Sequence, residues 1–308
     1  MAKNRIYSGL ASLPKGQVPT DIVTPGCLVL EGGAFRGVYT SGVLDYLMQQ
    51  SIAFETTVGV SAGSLNGLTY VAGQIGRAGY INLRYRHDSR YVGAKAVAQE
   101  GGVIGFDYLF KGKASKDIPL ATEAIKKTPR KFYAVITNVK TGKEEYREIH
   151  DYPLDSFYKI LQASSSMPFF SRMVPLEGSY YLDGGCACKI AYQWAINQQF
   201  KKIVVVRTRE SGFRKALTTK REIALYKLRY GKYKEFTKTV CHSNEAYNQQ
   251  CDEIQELGKE GRIFVIAPSK PVMIERLEGD MEKLGDLYWE GYHDAEASFA
   301  ALKDYLAA

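Results

Sequence analysis

Ser61 is the residue of this sequence best placed to act as a nucleophile. It lies between Gly59 and Gly63 in the pattern Gly-x-Ser-x-Gly, after an apolar run at 54–58 and before apolar residues at helical spacing. On a strand-to-helix turn this pattern lifts a serine hydroxyl clear of a sheet, with small residues on both sides. The surrounding sequence predicts such a turn, so Ser61 is the candidate nucleophile for acyl chemistry.

A second segment upstream could supply donors to an anion. It is the glycine-rich loop at 31–37, which lies between an apolar run at 27–30 and a stretch of apolar residues at helical spacing. Such a loop directs backbone N–H groups at a phosphate, or at the oxyanion that forms when an acyl carbonyl is attacked. The serine turn that follows favours the oxyanion. The candidate oxyanion-hole residues are Gly32, Gly33, Ala34, Arg36 and Gly37.

A third segment supplies a carboxylate but no histidine. Asp183 follows the apolar and aromatic run at 180–182 and is followed directly by Gly184 and Gly185. An aspartate delivered by a strand onto a glycine turn can act as a general base. An aspartate with an ordinary pKa near 4 is a weak base for serine at neutral pH, so we expect Asp183 to be shielded from water and paired with Ser61.

The three segments, in this order, resemble the patatin-like phospholipase family. That family has a glycine-rich oxyanion loop ending in Arg/Lys-Gly, a Gly-x-Ser-x-Gly turn, and a downstream Asp-Gly-Gly or Asp-Gly-Ala. The resemblance covers residues 27–207, including a small-residue and Pro-Phe segment at 163–170. It implies a three-layer α/β/α sandwich with a mainly parallel central sheet. It also implies hydrolysis of lipid acyl esters, as by a phospholipase or lipid esterase, through an acyl-enzyme on a Ser61–Asp183 dyad without cofactor or metal.

One residue departs from the family pattern. Ala34 stands where the family usually has a third glycine. Alanine resists positive φ, so a left-handed conformation at Ala34 would distort the oxyanion hole, whereas a negative φ would leave it intact. Two alternatives therefore stay open: a patatin-like scaffold that binds lipid or acyl groups without turnover, and an acyltransferase that uses the same dyad. Arg36 is interpreted as locking the loop rather than touching substrate.

Histidine offers a different mechanism. The usual order after such a serine turn is Ser, then Asp or Glu, then His, and both His242 and His293 follow Asp183. His242 falls in a basic segment and His293 on an amphipathic C-terminal stretch, and neither follows a predicted strand. The dyad is therefore the preferred prediction.

Composition sets the class of protein and its compartment. The chain has 308 residues, 45% of them hydrophobic and 24% charged, which is typical of a globular protein. It has no apolar run near the ~20 residues of a membrane span and no N-terminal signal core. Five cysteines do not suggest a disulfide framework, so we expect a reducing, cytoplasmic location. Cys186 and Cys188 are interpreted as small buried residues, not as metal ligands.

The predicted organisation has three parts. Residues 1–25 form an N-terminal extension, 26–275 the catalytic domain, and 276–308 a C-terminal amphipathic helix packed on the domain. Within the catalytic domain, the patterns predict a hairpin at 131–149, a helix at 189–200, buried parallel strands at 203–206 and 263–267, and a basic helical insertion at about 210–258. Dimerisation through the C-terminal helix stays an alternative.

Positive charge is concentrated in one region. Residues 201–238 contain 13 Lys and Arg against 3 Asp and Glu, an excess of 10 that exceeds the net charge of +8 for the whole chain. We interpret this basic region as a cap that contacts an anionic membrane peripherally, or alternatively as a helix with a solvated lysine face. The arginines of 73–112 could likewise meet a head group or simply be solvated. No nucleic-acid module is present, so a nucleic-acid partner is not expected.

Overall fold

A computed structural model of the chain describes residues 4–308, so the first three residues of the predicted N-terminal extension lie outside the described part. The strands are β1 (Gly16–Gln17), β2 (Thr24–Leu30), β3 (Phe54–Val60), β4 (Gln74–Ile75), β5 (Lys131–Asn138), β6 (Glu144–Glu148), β7 (Val174–Leu176), β8 (Ser179–Asp183), β9 (Ile203–Val206) and β10 (Phe264–Ile266). The helices are α1 (Gly37–Gln49), α2 (Ala62–Val71), α3 (Arg77–Tyr85), α4 (Ala94–Glu100), α5 (Phe106–Phe110), α6 (Lys113–Asp117), α7 (Thr122–Lys127), α8 (Leu154–Ser164), α9 (Tyr192–Asn197), α10 (Lys220–Tyr230), α11 (Lys234–Lys259) and α12 (Met281–Ala307).

The main sheet is mixed but mainly parallel, as predicted. Within residues 4–308 it has eight strands, whose hydrogen-bonded pairs follow the order β10-β9-β2-β3-β5-β8-β7, with β6 also paired to β5. Strands β10, β9, β2, β3 and β5 run parallel to one another. Strands β6 and β8 are antiparallel to β5, and β7 is antiparallel to β8. The short strands β1 and β4 form a separate pair that ties the N-terminal segment to the region after α2.

Helices cover both faces of this sheet because its central strands are apolar on both faces. Along β2, Leu28 and Leu30 pack into a cluster with residues of α1, α8 and α12, whereas Cys27 and Val29 pack into a second cluster with residues of α9 and α11. Successive side chains of a strand point to opposite faces, so a continuous apolar run requires a helix layer on each side. The three-layer α/β/α prediction is confirmed.

Strands β3 and β8 meet head to head on the same edge of β5. Val60, the last residue of β3, pairs with Val135, and Asp183, the last residue of β8, pairs with the next residue, Ile136. Both β5 residues also pair with β6, which therefore occupies the opposite edge. Because β3 runs parallel to β5 and β8 antiparallel, the two strands end against each other. This brings Ser61, which follows β3, to Asp183.

The C-terminal helix α12 packs closely on α1, the helix that follows the glycine-rich loop. It begins at Met281, five residues after the start of the predicted C-terminal segment. A Cβ atom on Gly42 would lie 2.0 Å from the carbonyl oxygen of Tyr288, so no larger residue fits at this crossing. The Tyr288 hydroxyl donates to the buried Asp45 of α1 at 2.6 Å. The contact with α12 thus fixes the position of α1, the helix that follows the glycine-rich loop.

One helix prediction needs correction, and another is refined. The helix predicted at 189–200 is shortened to α9, because the Lys189 carbonyl accepts a hydrogen bond from Gly32 N–H and the Ile190 carbonyl accepts one from Gln250. In the basic region, the helical spacing of Leu225, Leu228 and Tyr230 predicts an apolar side of an amphipathic helix. The side chain of Leu228 is 85% exposed, whereas Tyr230 is buried and Tyr226 packs against the same cluster.

Candidate active site

Ser61 occupies a strained turn between β3 and α2. Its φ of 55° and ψ of −123° lie outside the regions that non-glycine residues ordinarily adopt. Two serines hold the turn: Ser61 N–H donates to Ser164 Oγ at 3.1 Å, and Ser64 Oγ donates to the Ser61 carbonyl at 2.6 Å. The strain leaves the Ser61 side chain at the end of the sheet, where it lines both of the pockets described below.

The glycines that flank Ser61 are required by close packing. A Cβ atom on Gly59 would lie 2.6 Å from the backbone of Gly63, and one on Gly63 would lie 2.5 Å from the Leu30 carbonyl oxygen. Contacts this short do not occur for real Cβ atoms, so strand β3, helix α2 and strand β2 can approach only through glycine.

Ser61 and Asp183 are in direct contact. Ser61 Oγ donates to Asp183 Oδ2 at 2.7 Å, and Gly185 N–H donates to Asp183 Oδ1 at 2.7 Å. Asp183 is 6% exposed and Ser61 is 8% exposed. Gly184, which follows Asp183 in the turn, lies against β5, where a Cβ atom would be 2.3 Å from the Val135 carbonyl oxygen. Both carboxylate oxygens of Asp183 therefore have a donor, and one of these donors is the candidate nucleophile.

Burial raises the pKa of Asp183 above the ordinary value for aspartate. The hydrogen bonds from Ser61 and Gly185 oppose this shift, followed by the positive charges of Lys189 and Arg276. Desolvation disfavours the charged carboxylate, so a proton transferred from serine is accepted more readily than by an aspartate in water. The environment thus moves Asp183 in the direction that a general base requires.

The glycine-rich loop lies against Ser61 and has two unused donors. A Cβ atom on Gly32 would be 3.1 Å from Ser61 Cβ, which shows how close the loop approaches. Gly32 N–H is directed to the Lys189 carbonyl at 3.5 Å, and Arg36 N–H donates to the Gly33 carbonyl. Within residues 4–308, no hydrogen bond uses the N–H of Gly33 or Ala34. These two N–H groups can therefore donate to a ligand.

Ala34 adopts a left-handed conformation, with φ of 49°. For alanine this conformation costs about 1–2 kcal/mol. The loop is held on both sides of it. Before Ala34, Thr208 Oγ1 donates to the Gly32 carbonyl at 3.1 Å. After it, Phe35 N–H donates to the Arg276 carbonyl at 3.4 Å, and Asn66 Nδ2 donates to the Gly37 carbonyl at 2.8 Å. Ala34 therefore has the positive φ that, from the sequence, is expected to distort the oxyanion hole.

The structure gives no support to the interpretation that Arg36 locks the loop. Among the described residues its side chain makes no hydrogen bond or ion pair, and its buried Nε has no acceptor. Burial lowers the pKa of Arg36 to about 10, followed by the effect of Arg209, with Glu31 acting in the opposite direction. The side chain lines the cleft beside Ser61. The loop is instead anchored through Asn66, as described above.

Two pockets of different character meet at Ser61. One is an apolar pocket, and the other, the polar cleft, is lined by charged side chains as well as apolar ones. Ala34, Ser61 and Met167 line both. The apolar pocket is formed largely by α1, α2, α3 and α5, with a lining that includes Phe35, Val38, Leu65, Leu68, Ile81, Tyr91, Leu109 and Phe110. The arrangement suits a substrate with an apolar chain on one side of the reacting carbonyl and a polar group on the other.

Sequence reasoning missed three residues of the polar cleft. Lys189, Lys215 and Arg276 line it together with Arg36. Lys189 could have been found, because it follows the aspartate turn by four residues, and its Nζ donates to the Gly185 carbonyl at 2.7 Å. Lys215 was counted only as part of the basic region, and Arg276 carried no signal, because its segment reaches the site through the tertiary fold.

The other candidates differ in how near they lie to Ser61, and Cys186 lines the polar cleft. None of the four histidines of the chain lines either pocket, and His242 and His293 are exposed on α11 and α12. Of the arginines of 73–112 that were considered for a head group, Arg86 donates to the carbonyls of residues 277 and 278, and Arg90 pairs with Asp88. Arg77 donates to the Ile118 carbonyl and lines the apolar pocket. Cys186 and Cys188 are buried and free.

Comparison with known proteins places the site in a family. Residues 28–191 match the family model described as patatin-like phospholipase, and residues 233–307 match a domain of unknown function, DUF6363. The first match contains every candidate site residue predicted from the sequence, including the loop, Ser61 and Asp183. The second spans helices α11 and α12.

Two relatives and one solved structure are similar to this chain. The Escherichia coli (strain K12) protein named uncharacterized protein YjjU is 29% identical over 251 residues, covering 80% of this chain and 69% of that protein. The probable lipid hydrolase 463L of Invertebrate iridescent virus 6 is 26% identical over 190 residues, covering 57% of this chain and 64% of that protein. The crystal structure of VipD from Legionella pneumophila aligns with a TM-score of 0.41 and 13% identity, covering 95% of this chain and 72% of that one.

Proposed function

Because the chain belongs to the patatin-like phospholipase family, which supports lipid hydrolase activity in general, we propose that it hydrolyses lipid acyl esters with Ser61 as nucleophile and Asp183 as base. The observation that carries this proposal is the 2.7 Å hydrogen bond from Ser61 Oγ to Asp183 Oδ2 inside a largely buried site. A nucleophile and a base within hydrogen-bond reach meet the geometric requirement for covalent catalysis.

In the proposed acylation step, Ser61 Oγ attacks the ester carbonyl carbon while its proton passes to Asp183 Oδ2. The new Oγ–C bond forms a tetrahedral oxyanion. This collapses with cleavage of the bond to the leaving alcohol, which takes the proton from Asp183. The products are an acyl-Ser61 ester and a free alcohol, and Asp183 is again ionised.

In the proposed deacylation step, a water molecule takes the place of the alcohol. Asp183 accepts a proton from the water as its oxygen attacks the acyl carbon, and returns the proton to Ser61 Oγ when the Oγ–C bond breaks. A carboxylic acid is released. An alcohol entering instead of water would give acyl transfer with the same residues, so the amount of free acid released separates the two reactions.

The N–H groups of Gly33 and Ala34 are the proposed oxyanion donors. They lie in the loop that approaches Ser61, and neither has an acceptor within the described residues. Removing one donor from an oxyanion hole typically costs about 10²–10³ in rate. The left-handed Ala34 favours the second candidate function, lipid binding without turnover, if its strain misdirects these donors.

Peripheral membrane contact through the basic region is also proposed. Leu225 and Leu228 of α10 expose apolar side chains among lysines and arginines, and Leu225 lines the polar cleft. Exposed apolar side chains flanked by basic residues favour binding to an anionic lipid surface. No helix in the described part of the chain has the length and apolar character needed to cross a bilayer.

The direct test compares wild type with Ser61→Ala and Asp183→Asn on p-nitrophenyl esters of increasing chain length. Ser298→Ala, a serine of α12 that bonds only to carbonyls of its own helix, is the matched control. We expect both site variants to lose at least about 10³-fold in rate while circular dichroism is unchanged. Covalent labelling by a fluorophosphonate should require Ser61. Full activity in Ser61→Ala would refute the dyad, and lipid binding by a wild type that hydrolyses no ester would select the second candidate.

A further inference from the structure

The peptide group between Gly32 and Gly33 carries one of the two proposed oxyanion donors. Its N–H belongs to Gly33 and has no acceptor within the described part of the chain. Its carbonyl belongs to Gly32 and accepts a hydrogen bond from Thr208 Oγ1 at 3.1 Å. In a planar trans peptide the C=O and the N–H point in opposite directions, so the contact that holds the Gly32 carbonyl also sets the direction of the Gly33 N–H.

The order of the strands shows which way that N–H points. Strand β2 lies between β9 and β3 and pairs with both. Thr208 comes after β9 and Ser61 comes after β3, so they lie on opposite sides of the loop that follows β2. Because the Gly32 carbonyl is directed to Thr208, the Gly33 N–H is directed to the side of the loop on which Ser61 lies.

Thr208 is itself held in place through its backbone. It is fully buried, and its N–H donates to Oε2 of the buried Glu31 at 2.7 Å. Glu31 N–H donates to the Val206 carbonyl at 3.0 Å. The guanidinium of Arg207 lies 3.9 Å from the same carboxylate and donates to the Tyr247 hydroxyl of α11. The threonine hydroxyl is therefore fixed beside the loop and does not simply follow the loop's movement.

Gly33 and Thr208 are in close contact. A Cβ atom on Gly33 would lie 2.6 Å from Thr208 Oγ1 and 3.0 Å from Thr208 Cβ, so only glycine lets the hydroxyl reach the Gly32 carbonyl. The next residue, Ala34, has a positive φ, which alanine disfavours. The loop therefore needs contacts that hold it in this conformation, and the hydrogen bond from Thr208 is one of them.

We propose that Thr208 is a positioning residue for the oxyanion hole, and that its hydroxyl keeps the Gly32–Gly33 peptide in the orientation that directs the Gly33 N–H at the oxyanion. Donors stabilise a developing charge best when they are oriented before it forms. Thr208 lines neither pocket at Ser61, so it acts on the reaction only through the loop. The inference rests on the proposed function, because this donor matters only if an oxyanion forms at Ser61.

The experiment compares three substitutions of Thr208 with wild type on a p-nitrophenyl ester. Thr208→Val keeps the shape of the side chain without the hydroxyl, Thr208→Ala removes the hydroxyl without placing a methyl group against the Gly32 carbonyl, and Thr208→Ser keeps the hydroxyl. We expect the valine and alanine variants to lower kcat by about tenfold with little change in KM, which corresponds to the loss of one hydrogen bond. The serine variant should restore kcat.

Thr57→Val is the matched control for these variants. Thr57 lies in β3 and is as deeply buried as Thr208, but its hydroxyl has no hydrogen-bond partner in residues 4–308. The same substitution there removes a buried hydroxyl without releasing the loop. We therefore expect Thr57→Val to keep the kcat of wild type.

A trifluoromethyl ketone with the same acyl chain separates positioning from a general effect on structure. Ser61 Oγ adds to its carbonyl carbon, the serine proton passes to Asp183, and the ketone oxygen becomes an oxyanion. In Thr208→Val we expect its inhibition constant to rise about tenfold, in proportion to the loss in kcat/KM. The alcohol made by reducing this ketone forms no oxyanion, and its inhibition constant should not change. An unchanged inhibition constant for the ketone would overturn the inference.

The outcomes separate this inference from the proposed function. With an active wild type, unchanged kcat in Thr208→Val and Thr208→Ala, or a kcat in Thr208→Ser as low as theirs, would overturn the positioning role and leave ester hydrolysis intact. A wild type that neither hydrolyses the ester nor binds the ketone more tightly than the alcohol would overturn the proposed function. Crystal structures of Thr208→Val and Thr208→Ala test the positioning without activity: we expect the Gly32–Gly33 peptide to turn, and an unchanged orientation would overturn the inference.

Discussion

Asp45 offers the most quantitative test of how the fold supports the site. It is 2% exposed in α1 and accepts hydrogen bonds from Gly76 N–H at 2.8 Å and from the Tyr288 hydroxyl at 2.6 Å. Burial raises its pKa from 3.8 to about 7, against the effect of these two donors. The perturbation is Asp45→Asn, which keeps an acceptor for Gly76 N–H and cannot ionise.

The raised pKa of Asp45 determines how stability changes with pH. As the pH rises above 4, Asp45 ionises in the unfolded chain before it ionises in the folded one, so the free energy of unfolding falls until the pH passes about 7. Each unit of pKa difference corresponds to about 1.4 kcal/mol. Between pH 5 and pH 8 the wild type should therefore lose about 2–3 kcal/mol through this residue, whereas Asp45→Asn should not.

The assay is urea-induced unfolding at pH 5 and at pH 8, because the difference between variant and wild type cancels the titration of other groups. We expect Asp45→Asn to gain about 2–3 kcal/mol relative to wild type between the two pH values. Tyr288→Phe is the control, since it removes a donor but keeps the buried carboxylate, and it should retain the pH dependence. The reasoning fails if the difference between Asp45→Asn and wild type is the same at both pH values.

Three further predictions concern the site. Ala34→Gly should raise the free energy of unfolding, measured in urea, by about 0.5–1 kcal/mol. The gain from relieving the positive φ of alanine outweighs the added conformational freedom of glycine in the unfolded chain. A decrease would show that Ala34 is not strained. Leu65→Phe fills the apolar pocket one turn after the proposed nucleophile, and it should lower kcat/KM for long-chain p-nitrophenyl esters more than for the acetate. An equal loss on both esters would place the acyl chain outside this pocket. The acid limb of the pH–rate profile should lie above the ordinary pKa of aspartate, because burial raises the pKa of Asp183. Lys189→Met should move this limb to still higher pH, because the positive charge of Lys189 lowers the pKa of Asp183. A shift to lower pH would refute the assigned effect of Lys189.

The local patterns of the sequence predicted the sheet and the chemistry-bearing turns well. The apolar runs at 27–30 and 203–206 lie in strands β2 and β9, and the hairpin at 131–149 contains β5 and β6. These signals are local, because a strand buried on both faces must be apolar at every position. The glycines around the serine are also local signals of close packing.

What the sequence could not predict depends on contacts between distant segments. Nothing near Arg276 indicates that it reaches the cleft of Ser61, because its position is set by the connection between β10 and α12. The exposure of Leu228 has the same cause: helical spacing predicts that an apolar face exists, but not whether other elements cover it. The positive φ of Ala34 depends on the contacts on both sides of the loop, which no local pattern specifies.

The head-to-head strands also explain how a serine site can work with an aspartate and no histidine. In a triad, a third residue orients the base. Here the sheet and its turn orient the proposed base directly. Asp183 N–H donates to the Ser166 carbonyl, and the Asp183 carbonyl accepts from Thr137 Oγ1. Gly185 N–H donates to the carboxylate oxygen that is not bonded to Ser61. A base fixed in this way at the end of a strand would need no separate orienting residue. The basicity of Asp183 is set instead by two opposing effects. Burial raises its pKa, and the positive charges of the cleft lower it.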